Sequence, residues 1–343
     1  MKEIEQKFIV TLPIEEVRRQ IDAVVRSAGL TQDSWYQSSR LFAYYDTPHL
    51  DLLRTGQTLR QVSGFPKGVR YDLKSGPIVD RNESSIWAEG PDIAPMFQAL
   101  GGVPVLQDMP MYYNKCLVHR GNTIIECGID QTPYYTEVEF ELESGSREEL
   151  DKFCETFHSV GGFAAADVQK YLRTWIMQHE QLRNLQHVQQ NCRWHSDTVL
   201  EHTLQAVQEL QQVLEEFPTA HGYELFLATA FHDVGKIDPQ LIDGQTKFPG
   251  HEKKGASMVE LSSEDLLPGQ ELHIRQLIAD HGYLHKVLLN GKDTHMPHLN
   301  AQARLSLADL RASNLGRVFP EEYANREHKL ISTLNNREEK NDG

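Results

Sequence analysis

Glu3-Ile4-Glu5-Gln6-Lys7-Phe8-Ile9-Val10 decides how the first half of this chain is read. A strand sends successive side chains to opposite faces, so Glu3, Glu5 and Lys7 share one face and Ile4, Phe8 and Val10 the other. In an ordinary half-buried strand the charged face looks at water and carries no chemistry. If it lines the inside of a barrel instead, three charges are withdrawn from water, which is costly unless they are paired or bound to ions. An interior of that kind implies a metal and an anionic ligand.

The same choice recurs along the first 160 residues. Strand-like runs follow near Arg40–Tyr45, Gly56–Val62, Val69–Lys74, Ser84–Glu89, Tyr112–Val118, Thr123–Ile129 and Tyr134–Leu142. They are separated by turn signals such as Ser63-Gly64-Phe65-Pro66 and Arg120-Gly121-Asn122. With the first strand they make eight, a count that suits a sandwich or closed barrel. A short helix is expected after Leu12-Pro13-Ile14, with an apolar stripe of Ile14, Val17, Ile21 and Val24 or Val25. Glu137, Glu139 and Glu141 share a face opposite Val138, Phe140 and Leu142. Arg70, Asp72 and Lys74 oppose Val69, Tyr71 and Leu73; Thr58 and Arg60 oppose Leu59; Glu126 and Asp130 oppose Ile125 and Ile129. Pattern alone leaves open which of the two faces is inside.

From about Glu148 the period becomes helical. The polar Glu180–Gln190 stretch marks the expected boundary between a first domain, 1–180, and a second, all-helical one, 191–325. Val199, Leu204, Val207, Leu210 and Leu214 typify the second half, and the polar Asn335–Gly343 is expected to fray. The fold class is therefore α+β and multidomain.

With 343 residues, 39% hydrophobic and 24% charged, the composition is globular. No run of about 18 apolar residues suggests a membrane span. The strand pattern begins at once, so no signal peptide is expected and the cytoplasm is the expected location. Cys116, Cys127, Cys154 and Cys192 follow no ligand spacing and read as reduced thiols. The net charge of −15 is spread evenly: 18 Lys+Arg against 26 Asp+Glu up to residue 180, and 16 against 23 beyond it. No general nucleic-acid-binding surface is implied, since that needs clustered basic residues. A small anion in a local basic pocket remains compatible. The sequence does not speak to oligomeric state.

The ordered set Glu3-x-Glu5-x-Lys7, Tyr44-Tyr45-Asp46-Thr47-Pro48, Gly56-x-x-Leu59-Arg60, Leu73-Lys74, Arg81-x-Glu83, Lys115, Ile129-Asp130 and Glu137-Val138-Glu139-Phe140-Glu141 resembles the CYTH family, the triphosphate tunnel metalloenzymes. The likeness covers roughly residues 1–175 and is greatest to bacterial inorganic triphosphatases. It implies an eight-stranded antiparallel tunnel with flanking helices and charges inside. Glu3, Glu5, Asp130, Glu137 and Glu139 would hold Mg²⁺ or Mn²⁺, hard cations that suit oxygen ligands. Lys7, Arg60, Lys74, Arg81 and Lys115, with Lys170 and Arg173 from a following helix, would grip the triphosphate. Glu3, Glu5 and Lys7 are its candidates at the reacting centre. Two departures stand out: Val62 where many members carry a second arginine, and Tyr113 and Leu117 where some carry one.

In the helical half, Phe231-His232-Asp233-Val234-Gly235-Lys236, preceded by His202 and followed by Asp309, resembles the HD phosphohydrolase superfamily. Glu201-His202-Thr203-Leu204 and Pro249-Gly250-His251-Glu252-x-x-Gly255 are similar to HD modules attached to tRNA nucleotidyltransferases. The resemblance implies that His202, His232, Asp233 and Asp309 ligate a divalent Mn, Fe, Co, Ni or Zn, with His232 and Asp233 catalytic. Lys236 would contact phosphate, and His251 and His281 would add a second metal or phosphate contacts. His195 is a weaker candidate; His273, His295 and His298 read as loop or surface residues.

Together these imply a two-headed metal-dependent phosphohydrolase, cleaving inorganic tripolyphosphate in the tunnel and a phosphomonoester or phosphodiester in the helical half. One alternative is an RNA-end processor acting on a 5′-triphosphate and on 2′/3′-phosphates. Another is a tunnel that senses a triphosphate or nucleotide and regulates the helical hydrolase.

Overall fold

The computed structural model describes residues 2–76, 81–88, 102–161, 163–166, 168–192, 194–242, 244–261, 266–287 and 298–341, without the side chains of 2, 3, 81, 164 and 336–341. The chain divides into two compact units, Met1–Tyr171 and Leu172–Gly343. The division falls earlier than the polar Glu180–Gln190 stretch, because that stretch hides Leu182, Leu185 and Val188, all buried among the helices. The helical unit also runs past residue 325, with Leu330 and Leu334 fully buried on the long helix Pro320–Asn341. That helix continues through most of the tail expected to fray.

The first unit is one antiparallel sheet. Its strands are β1 (Lys2–Glu3), β2 (Glu5–Val10), β3 (Thr31–Gln32), β4 (Tyr36–Asp46), β5 (Thr58–Phe65), β6 (Gly68–Ser75), β7 (Arg81–Ala88), β8 (Val103–Arg120), β9 (Thr123–Gln131), β10 (Thr136–Ser144) and β11 (Ala164–Ala165). All seven later runs anticipated from alternation are strands; Glu89, expected to end one of them, lies outside the described residues. The path runs β1-β7-β6-β5-β4-β8-β9-β10-β2-β11, with β3 beside β8. The quoted N-terminal stretch is broken only at Ile4: β1 pairs with β7, and β2 with β10. One extended segment thus meets both ends of a seven-stranded path, β7 to β10, and the sheet curls round to it as the eighth strand. A sheet that ends on itself presents no open edge there.

The apolar face of this curl points outward. Helix α1 (Ile14–Ser27) buries Val17, Ile21, Val24 and Val25, as its stripe requires. Together with α3 (Arg147–Gly161) it covers Phe8, Val10, Val118, Ile125, Ile129, Val138 and Phe140 of β2, β8, β9 and β10. Phe140 packs edge-on against Phe153 and Phe157, with centroids 5.1 and 4.9 Å away. On β6 the outward face meets solvent: Leu73 is 43% exposed between Asp72 at 0% and Lys74 at 8%. Burial here follows the charged face, which reverses the ordinary alternation rule and puts the charges inside.

The second unit is helical apart from a hairpin, β12 (Gln240–Ile242) with β13 (Gln245–Lys247). Replacing Phe140 by alanine removes an aromatic from a fully enclosed site and should cost about 3–5 kcal/mol. The measurement is the denaturant-induced transition of the sheet unit; a loss below about 1 kcal/mol would show that the outward apolar face does not hold the curl.

Candidate functional site

Strand register places the inward charges opposite one another. Lys7 faces Glu139, Glu5 faces Glu141, Glu137 faces Asp130, and Arg60 faces Asp72. A cavity of about 770 Å³ opens among them, lined by Lys7, Arg60, Lys74, Lys115, Asp130 and Glu139, among others. Oxygens of Asp130, Glu137 and Glu139 lie within 4.8 Å of one another. The Lys170 ammonium sits against all three, at 2.6, 2.9 and 3.2 Å. Lys7 Nζ is 2.7 Å from Glu5 and 3.7 Å from Glu139. Arg60 Nε lies 2.8 Å from Asp72, Lys74 Nζ lies 3.1 Å from Glu83, and Lys115 pairs with Glu126.

Asp46 of the Tyr44-Tyr45-Asp46 motif has a positioning part. Fully buried, it accepts the backbone N–H groups of Thr47, Leu52 and Leu53 and the Tyr171 hydroxyl. Tyr171 in turn stacks on Tyr44, centroids 4.7 Å apart and planes 3° from parallel. This braces the chain immediately beside Lys170.

Such crowding perturbs every group involved. Burial raises the Glu5 carboxyl to about 8, with Lys7 pulling it down and Glu139 pushing it up. Burial alone would lower Lys7 and Lys170, but the surrounding carboxylates hold both above the ordinary lysine value. Glu139 is well below its ordinary value despite burial, because Lys7 and Lys170 flank it. Oε2 of Glu5, Oε2 of Glu137 and Oδ1 of Asp130 are buried with no hydrogen bond, while Oε1 of Glu5 and of Glu137 meets the ammonium of Lys7 and of Lys170 respectively. Buried oxygens left in that state fit a cation, and an all-oxygen donor set fits a hard one.

Of the residues expected here, Glu5, Asp130, Glu137, Glu139, Lys7, Arg60, Lys74, Lys115 and Lys170 converge. The side chains of Glu3 and Arg81 lie outside the described residues, although β1 pairs their backbones. Arg173 does not line the cavity: both its terminal nitrogens lie 2.7–2.8 Å from Glu201, a bidentate pairing for which guanidinium is suited. Arg40 and Arg70 line the cavity without having been singled out as ligand contacts. Arg70 stands directly across from Val62. Its guanidinium lies 2.8–3.0 Å from the Asp72 carboxylate, and its alternation with Asp72 and Lys74 was the signal for its inward position.

A second constellation occupies the helical unit. His202 lies on α6 (Val199–Glu216), His232 ends α7 (Gly222–Phe231), His251 begins α8 (His251–Met258), and His281 ends α9 (Gln270–Asp280). Asp309 lies on α11 (Leu299–Arg311), the short α10 (Tyr283–Val287) intervening. His202, His232 and Asp309 form one ligand-like group and Asp233, His251 and His281 another. Asp233 links them: Oδ2 is 3.2 Å from His232, and Oδ1 is 3.4 and 3.6 Å from His251 and His281. Lys236 Nζ is 2.7 Å from Asp233.

The histidines are oriented from behind. Nδ1 of His232, His251 and His281 lies 2.7–2.8 Å from the carbonyl of Thr229, Phe248 and Ile278 respectively. A carbonyl only accepts, so each Nδ1 donates and each Nε2 keeps its lone pair for the centre, the usual support of a metal-bound imidazole. His251 and His281 then face each other Nε2 to Nε2 at 3.2 Å, two acceptors that need a cation or a proton between them. Gly235 makes the approach possible, since a Cβ there would come within 2.1 Å of the His251 carbonyl. Asp233 and Asp309 stay well below the ordinary carboxylate range: burial raises each, but their histidine partners, with Lys236 for Asp233, outweigh it. His285, which the sequence reading missed, places Nε2 3.3 Å from Asp309. Its position four residues after His281, one helical turn on, was the available cue. His195 stands with its ring 4.2 Å from that of His202.

No protein-family model and no curated protein matches the chain. Among solved structures, it is similar to a Hippeastrum protein, proposed as an adenylyl cyclase, with a dominant triphosphatase activity (14% identity, 50% of this chain and 92% of that one, TM-score 0.36). A proposed adenylate cyclase from Bacillus halodurans (13%, 50% and 97%, 0.33) and a Mimivirus capping-enzyme triphosphatase (9%, 46% and 89%, 0.30) are also similar. Scores this low carry no functional inference.

A pH dependence follows from Glu5. Between its ordinary value of 4.5 and about 8 the folded chain holds a proton that the unfolded chain has released. Stability is then highest below that window and falls as pH rises through it. In chelator-treated protein, Glu5→Gln should flatten this decline and be the more stable form at pH 8. An unchanged pH slope would contradict the burial of Glu5.

Proposed function

We propose that the sheet unit is a metal-dependent triphosphatase and the helical unit a second metal-dependent phosphohydrolase. The observation that carries the first half is the convergence of a carboxylate cluster and several lysines and arginines on one cavity. Asp130, Glu137 and Glu139 gather at one place, with Glu5 behind Lys7, while Arg60, Lys74 and Arg70 belong to the wall made by β5 and β6. A ligand that satisfies both sets carries several negative charges and travels with a hard cation, as a linear triphosphate does.

In this reading Glu5, Asp130, Glu137 and Glu139 hold Mg²⁺ or Mn²⁺. When bound, the ion polarises a phosphoryl oxygen and orients the attacking water. Lys7, Arg60, Lys74 and Lys115 align the chain of phosphates and stabilise charge on the transferred and leaving groups. Lys170 neutralises the acids before the cation arrives and then turns its charge toward the phosphates. Its helix start, braced by Tyr44 and Tyr171, fixes where that charge can go. Inorganic tripolyphosphate is the simplest substrate that meets both sets of charges.

For the helical unit, the buried His202, His232, Asp233 and His281, with the half-buried His251 and Asp309, support metal binding of the histidine–carboxylate type. A divalent transition ion held there activates water at neutral pH. Lys236, paired with Asp233 and with Gln190 Oε1 at 2.9 Å, is placed to meet a phosphate. The substrate class is a phosphomonoester or phosphodiester. The net charge of −15 weighs against RNA ends as the shared substrate.

The variants Glu137→Gln and Asp233→Asn separate the two heads. With Mn²⁺, Glu137→Gln should lower tripolyphosphate hydrolysis at least a hundredfold, about 3 kcal/mol of transition-state stabilisation, and leave hydrolysis of a generic phosphodiester intact. Asp233→Asn should do the reverse. Loss of tripolyphosphate hydrolysis only in Asp233→Asn would defeat the tunnel assignment, and full activity of Glu137→Gln with lost triphosphate binding would favour a sensor.

A further inference from the structure

A third group of metal-compatible side chains sits in the helical unit, away from the one just described. His221, Glu224 and His273 each offer a ligand atom within 4.8 Å of the others. The His298 ring lies 4.2 Å from that of His273, and the His221 ring lies 5.4 Å from it on another side. Three imidazoles and one carboxylate in so small a space are unusual unless something holds them together.

The surroundings narrow what that is. Glu224 is 6% exposed, and its carboxylate lies 3.3 Å from His221 Nδ1. His273 Nε2 is buried and has no hydrogen-bond partner among the described residues. No lysine or arginine takes part in this group, in contrast to the tunnel, so an anion has no counter-charge here. A neutral-imidazole and carboxylate set is a donor set for a borderline transition ion such as Zn²⁺.

Position in the chain gives the group a purpose. His221 and His232 flank α7, and His273 lies in the first turn of α9, which ends at His281. His298 precedes α11, whose far end carries Asp309. At 1.5 Å per residue, the two clusters lie about 12–16 Å apart along the same three helices.

We propose that His221, Glu224, His273 and His298 form a structural Zn²⁺-type site that ties together the N-terminal ends of the three helices whose C-terminal ends present His232, His281 and Asp309. A clip there fixes the helices relative to one another, and so the convergence of the side chains at their other ends. It takes no substrate and does not depend on the reaction assigned to either unit.

The test uses full-length protein stripped by chelator, equilibrated with Zn²⁺ alone and desalted before metal analysis. Asp233→Asn, which weakens the other cluster, is compared with the triple variant Asp233→Asn/His221→Asn/His298→Asn. The added substitutions are mild, because the His221 side chain is 58% exposed and asparagine tolerates the left-handed backbone of His298 at φ 58°. Asp233→Asn should retain one more zinc per chain than the triple variant. Its thermal midpoint should rise by about 5 °C at a hundredfold excess of free zinc over Kd, a shift the triple variant lacks. Equal zinc content in the two, both folded by circular dichroism, would overturn the site, and so would an equal thermal shift.

Discussion

Everything in the first unit follows from burying charge inside a sheet. Glu5 and Lys7 are 1% and 7% exposed, and Asp72, Asp130 and Glu137 no more than 3%. Isolated charges at such depth would be untenable, and a buried ion pair only partly recovers its desolvation cost. The chain meets this partly by opposing charges across neighbouring strands, as in Lys7 against Glu139 and Arg60 against Asp72, and, where Glu137 faces Asp130, by seating the Lys170 ammonium against both. The apolar side chains are displaced to the outside, where α1 and α3 cover one part of the wall. Such an interior is costly as architecture alone; its benefit lies in what it can bind. Preorganised charges need no rearrangement of solvent when an anion enters.

The helical unit solves a related problem by other means. Its centre holds more carboxylate and imidazole than cation, so orientation matters more than balance. Backbone carbonyls behind His232, His251 and His281 choose the tautomer, and Gly235 lets α8 approach closely enough for His251 to join. Three of the contributing helices are also gathered at their opposite ends by His221, Glu224, His273 and His298. Fixing both ends of a helix restricts its axial and rotational freedom, which is what ligand geometry requires of a supporting scaffold.

Much of this was legible before any coordinates. Period-two alternation located part of every long strand, though not the Val103–Met111 portion of β8, and the family resemblance picked out Glu5, Lys7, Arg60, Lys74, Asp130, Glu137 and Glu139. What alternation could not say was which face lay inside, because Leu73 outward and Asp72 inward produce the same pattern as the reverse. Cross-strand neighbours were equally hidden: only register shows that Arg70, paired with Asp72, stands opposite Val62. Arg173 resembles a phosphate ligand by position, yet Glu201, distant in sequence, captures it. His298 is exposed and His273 half-buried, as a loop or surface reading allows, but nothing in their local sequence announces that His221 and Glu224 lie beside them.

The central claim is that the charged interior exists to hold a metal and a polyphosphate together. The most direct measurement is a crystal structure of the full chain with Mn²⁺ and a non-hydrolysable imido-triphosphate, with the metal located by its anomalous signal. The account predicts a metal peak among Glu5, Asp130, Glu137 and Glu139, phosphates against Lys7, Arg60 and Lys74, and the Lys170 ammonium withdrawn from the acids. Phosphates bound on the outer surface, with Lys170 still seated among Asp130, Glu137 and Glu139 and no metal peak inside, would contradict it.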